Sequence, residues 1–157
     1  RNTRRQRQMC IRDSNKAVEI NPHHSRSLQA KGMLYLKECD YDNAIDLMNR
    51  ANESNRKAVP FYETMLLFCY LGKNDWLSAN QSVDRSMREN DHSRYHAFKA
   101  VVLAHEGKIE ESKEWLKKYQ ENRPEIKTIE DYEKVIPELN QQIKDTLLDG
   151  MRKAGLK

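Results

Sequence analysis

Three stretches of this chain repeat one another, and that repetition restricts the fold more than any other feature of the sequence. CDYDNAIDLMNRA from Cys39, NDWLSANQSVDRS from Asn74 and GKIEESKEWLKKY from Gly107 carry the same order of residue types. Their small-residue positions, Ala44, Ala79 and Ser112, lie 35 and 33 residues apart, a period of about 34. Tyr41, Trp76 and Ile109 open each stretch, and Met48, Val83 and Leu116 follow four residues beyond the small one. Such spacing predicts the second helix of a hairpin, where the small residue lets two antiparallel helices approach and the larger one fills the gap. One hairpin cannot bury its apolar face alone, so neighbours must stack and share a continuous core.

The first helix of the first repeat carries Leu28, Gly32 and Tyr35, and its second carries Ala44 and Ala51. Leu67 and Ala100 take the glycine position in the next two repeats. Tyr70 keeps the tyrosine position and Leu103 does not. The pattern predicts helices over 26–37, 41–54, 60–71, 76–89, 94–106 and 109–121, with Pro60 in a first turn and Pro124 closing the array. A half-repeat, NKAVEINP from Asn15, contributes Ala17 and ends on Pro22. Beyond Pro124, Thr128 with Asp131 forms a capping pair for a short helix bearing Ile129, Tyr132 and Ile136. Pro137 ends that helix and is expected to open another, whose stripe is Leu139, Ile143, Leu147, Met151 and Ala154. The expected organisation is residues 15–124 as a half-repeat plus three repeats and residues 125–157 as a helical cap.

This period and residue order resemble the tetratricopeptide repeat. The resemblance implies an all-α, right-handed superhelix of stacked hairpins that binds a peptide or protein in its concave groove, without catalysis or cofactor. It also implies which side chains line that groove: Arg26, Gln29, Met33 and Lys37 on the first helix, then Phe61, Thr64 and Phe68, then Arg94, Ala97, Val101 and His105. The groove so read is basic at one end and apolar in the middle, which suits an extended or helical peptide with an acidic end and apolar anchors. The alternative is that Phe61, Phe68 and Val101 are covered by the carboxy-terminal helices of the chain itself. Pentatricopeptide repeats, which read RNA, are the rival, but the period here is not a strict 35 residues and the charge does not favour RNA.

The charge depends on how the amino end is read. Residues 1–14, RNTRRQRQMCIRDS, hold five arginines and one aspartate and show no period that would bury a face. From Arg4 to Ser14 they resemble, residue by residue, the in-frame translation of a transposon-based sequencing adapter, and they are set aside as non-native. Residues 15–157 then keep 23 of the 28 basic and 23 of the 24 acidic side chains, so their net charge is zero. A basic stripe for nucleic acid or an acidic membrane rests wholly on the segment set aside. An adapter at that position also implies a natural protein extending upstream.

No apolar stretch approaches the roughly 20 residues a bilayer requires, and no apolar leader opens the chain. Cys10, Cys39 and Cys69 make neither an even framework nor a CxxC pair, which favours a reducing, cytoplasmic setting. Cys39 and Cys69 are expected to be small buried residues. The five glycines form no phosphate loop, and no nucleophile elbow is present. His92 and His96 share a helical spacing but lack a third metal ligand, and His23, His24 and His105 are not spaced to join them. Glu110 and Glu111 read as solubilising charge.

The closing segment LLDGMRKAGLK, residues 147–157, adds a second resemblance. It is similar to the segment that follows tetratricopeptide repeats in bacterial proteins with a class III nucleotide cyclase or winged-helix domain upstream. Leu148, Gly150, Arg152, Lys153, Ala154, Gly155 and Leu156 match; Met151 and Lys157 depart. That resemblance implies a bacterial signalling context in which the partner of the repeats is another domain of the same polypeptide.

Overall fold

The computed structural model describes residues 3–20, 24–55, 57 and 59–157, without the side chain of Val59. Pro22 and His23, read above from the sequence, lie outside the described residues. Among those described, the chain is all helical, in the order α1 (Arg4–Ile20), α2 (Ser25–Lys37), α3 (Tyr41–Ser54), α4 (Val59–Gly72), α5 (Trp76–Glu89), α6 (Ser93–His105), α7 (Ile109–Asn122), α8 (Ile129–Glu133) and α9 (Gln141–Ala154). No described helix is long and apolar enough to cross a membrane.

Helices α2 and α3, α4 and α5, and α6 and α7 pair as three successive hairpins, each stacked on the next. The crossings fall where the small residues stand. Ala44, Ala79 and Ser112 are fully buried, as are Met48 and Val83 four residues on. Ser112 fits the apolar crossing because its hydroxyl donates to the Ala100 carbonyl at 2.6 Å, so no buried polar group goes unpaired. Gly32 serves close approach, since a Cβ there would stand 2.8 Å from the end of the Met48 side chain.

The turn within each hairpin is the same structure three times. Cys39, Asn74 and Gly107 take left-handed backbone with φ of 62°, 57° and 83°. The amides of the following residues, Asp40, Asp75 and Lys108, donate back to the carbonyls of Tyr35, Tyr70 and Leu103, each at 2.9 Å. This is the Schellman closure of a helix C-terminus. Asp40 and Asp75 then cap the second helix by accepting from the amides of Asn43 and Ser78. The repeat therefore encodes a stop and a start as well as a packing face. Cys39 is exposed in this turn, which corrects its assignment as a buried residue; Cys69 is fully buried.

Arg4–Ile20 is one continuous helix that runs from the amino-terminal segment into the half-repeat, and none of its residues is buried. Thr3 and Gln6 explain its start: the Thr3 hydroxyl accepts from the Gln6 amide and the Gln6 side chain accepts from the Thr3 amide. At the other end, Pro137 does not open α9. Leu139 belongs to the irregular connector before it, and Asn140 caps α9 by accepting from the Ile143 amide. The Thr128–Asp131 capping box forms as read, and the Ile129 amide donates to the Lys157 carbonyl, tying the end of the chain to α8.

Candidate partner-binding groove

The faces of α2, α4 and α6 that the repeat register turns inward meet two different fates. At one end they are covered by α9, which buries Ile143, Leu147 and Met151 completely and lies mainly against α6, with further contacts to α7 and α4. Gly150 permits this contact: a Cβ there would fall 2.5 Å from Val101 and 3.0 Å from His105. Val101 is fully buried beneath it. His105 is held on three sides. Its ring stacks on Trp76, its Nε2 lies 2.9 Å from the Thr146 carbonyl, and its Nδ1 lies 3.4 Å from Lys153 Nζ. Burial lowers the His105 pKa from its ordinary value, with the nearby Lys153 charge acting in the same direction.

The remaining part of the groove is open. A cavity of about 660 Å³ is lined by Met33, Lys37, Phe61, Thr64, Phe68, Arg94 and Ala97, all on the register deduced from the repeats. Arg26 and Gln29 stand outside that lining, further along α2. Sequence reasoning missed other contributors, among them Lys57 and Phe98, Tyr119 and Arg123 near the end of α7, Tyr132 of α8, and residues 135–140 of the connector. A signal for the connector was present, because Pro137 followed by Asn140 and then Ile143 reads as a break and a new helix cap.

The cavity is apolar at its centre and charged at its margin. Phe68 and Phe98 meet edge to face with centroids 5.4 Å apart. Phe61 and Val135 remain 36% and 40% exposed, two of the few large apolar side chains left in water among the described residues. Among the described lining residues Lys37, Lys57, Arg94 and Arg123 supply four cations, against the one carboxylate of Glu138. Arg123 is engaged by Glu125, whereas Lys37, Lys57 and Arg94 have no carboxylate partner among the described residues. Arg94 is oriented by Tyr95: its guanidinium lies 5.1 Å from that ring and donates to the hydroxyl at 3.3 Å. Thr64, which lies 3.4 Å from the same hydroxyl, donates to the Pro60 carbonyl at 2.7 Å.

The histidines considered as ligands have other partners. His92 caps α6 by accepting from the Arg94 amide, and His96 lies 2.8 Å from Asp91. His24 precedes α2 and contacts Ser27.

Residues 25–58 match the family described as Tetratricopeptide repeat. No curated protein matches the chain. Seven chains of solved structures match it, among them the crystal structure of MamA, with a TM-score of 0.69 and 16% identity over 95% of this chain and 86% of that one. At that identity the likeness is one of fold: the chain is a helical solenoid of the tetratricopeptide type.

Proposed function

We propose that this chain is a non-catalytic interaction module that takes a peptide or protein segment in the open part of its concave groove, between α4, α6 and the α8–α9 connector. The observation that carries this reading is the coincidence of exposed Phe61 and Val135 with Lys37, Lys57 and Arg94, which meet no carboxylate among the described residues, around one cavity. Apolar side chains gathered in one concavity with a few charged groups at its margin are the usual make-up of a binding site. The margin charge selects acidic residues beside the apolar anchors. Met33, Thr64 and Phe68 line the same space, while Arg26 and Gln29 lie outside it on α2; Val101 and His105 serve α9 instead. Cys39 is a free, exposed thiol, which suits a reducing, cytoplasmic setting.

Selection of a displayed library of short random peptides tests the reading. Wild-type protein is expected to enrich sequences that place Asp or Glu beside Phe or Leu. Phe61→Asp and Arg94→Glu should each abolish that enrichment at an unchanged melting temperature. No enrichment on the wild type, or enrichment that survives both substitutions, overturns the assignment.

A second reading is favoured by the filled end of the groove, which already holds a helix of the same chain. On that reading the partner is another domain of the same polypeptide, of the cyclase or winged-helix kind that the closing segment resembles. The reading frame upstream in the source DNA decides between them.

A further inference from the structure

The connector between α8 and α9 brings the cavity its only carboxylate among the described lining residues, Glu138, while the four cations arrive from α2, the α3–α4 turn, α6 and the end of α7. Glu138 is exposed and has no cationic partner among the described residues. Charges of opposite sign thus enter one apolar cavity from different elements, and a segment lying in it meets both.

The connector is held in place from a distance. Tyr41, at the start of α3, donates its hydroxyl to the Gln142 side chain at 2.9 Å and accepts from Asn140 Nδ2 at 3.2 Å. Asn140 also donates to the Leu36 carbonyl at 2.6 Å, and Gln142 to the Gly72 carbonyl at 3.1 Å. The Tyr41 ring covers Gly72 so closely that a Cβ there would lie 2.2 Å from it. Residue 140 therefore has a fixed position, and Glu138 is two residues from that anchor.

We propose that Glu138 is the specificity-determining residue of the groove and Tyr41 its positioning residue. Together they select a segment that carries a basic side chain as well as acidic residues beside its apolar anchors. The proposal rests on the reading that this part of the groove receives a peptide, and it commits that peptide to a basic residue in addition to the acidic and apolar ones. An ion pair at such an exposed margin is weak, so the expected preference for the basic residue is about twofold to fivefold in Kd.

The displayed random-peptide library, selected in parallel on wild type, Glu138→Lys and Tyr41→Phe, is the test. Wild type should enrich Lys or Arg at one position near the apolar anchor and Asp or Glu at another. Glu138→Lys should convert the basic preference to an acidic one and leave the original acidic position unchanged. Tyr41→Phe keeps the ring on Gly72 and should flatten only the basic preference; a purely structural role would lower the melting temperature and leave both preferences intact. A basic preference that is absent in wild type or unchanged in Glu138→Lys overturns the proposal while the groove assignment stands. Failure to enrich any peptide on wild type overturns both.

Discussion

The imidazole of His105 lies flat on the indole of Trp76, ring centroids 4.3 Å apart and planes 8° from parallel. Trp76 belongs to α5, His105 to α6, and the imidazole reaches the Thr146 carbonyl of α9, so three helices meet at one titratable ring.

That ring makes docking of α9 sensitive to pH. Neutral His105 donates from Nε2 to Thr146 and leaves Nδ1 to accept from Lys153; a second proton would remove that acceptor and face the Lys153 charge, which Asp149 only partly offsets. Because the folded pKa is lowered from 6.5, the unfolded chain takes the proton more readily, and the stabilisation present above that value is lost as pH falls through it and below. A fall in melting temperature is expected between neutral pH and about pH 5, and a smaller one in His105→Gln. An equal fall in both proteins would refute the assignment.

Cys39 holds a left-handed conformation that costs an L side chain roughly 1 kcal/mol, whereas Gly107 holds the equivalent position freely. Cys39→Gly should stabilise the protein by about 0.5–1 kcal/mol and Gly107→Ala should destabilise it by about 1 kcal/mol, both read from urea unfolding.

Ala44 and Ala79 stand at helix crossings with no exposed surface, while Glu110 lies on an exposed face. Leucine at either alanine should cost roughly 1–3 kcal/mol through overpacking, and Glu110→Leu within about 0.5 kcal/mol of zero. Similar costs at all three positions would contradict the repeat register.

Ending the chain after Pro124 removes Ile143, Leu147 and Met151 from the groove and uncovers Val101. Each buried side chain of this size contributes roughly 1.5–3 kcal/mol before ordering entropy is subtracted, so the shortened protein should melt lower and bind an apolar dye. Unchanged melting and no dye binding would show that α9 is not needed to complete the core.

Residues 4–14 are helical but bury nothing, and α1 touches the core only through half-buried side chains such as Val18. A chain beginning at Asn15 should lose less than about 1 kcal/mol of stability, measured by thermal unfolding. A larger loss would show that the amino-terminal turns support the half-repeat.

The sequence by itself determined the hairpins. Helix starts, stops and faces follow from contacts three to five residues apart, and Asp40, Asp75 and the small residues at Ala44, Ala79 and Ser112 write those contacts into the order of residues. It also carried Met33, Lys37, Phe61, Thr64, Phe68 and Arg94 onto one surface, because a constant repeat fixes the direction of each first helix. Helicity before Asn15 was legible only as the Thr3–Gln6 capping pair, since a helix that buries no face leaves no periodicity to read. What tertiary structure alone decided is where the stripe of α9 goes. Ile143, Leu147 and Met151 announce that something must cover them and are silent about what. The answer came from Gly150 against Val101, and from Tyr41 reaching Gln142 across 101 positions of sequence. An apolar stripe has no address: its burial energy is nearly the same against any complementary face. Only close approach and hydrogen bonds between distant residues select one, and that choice left half of the groove open.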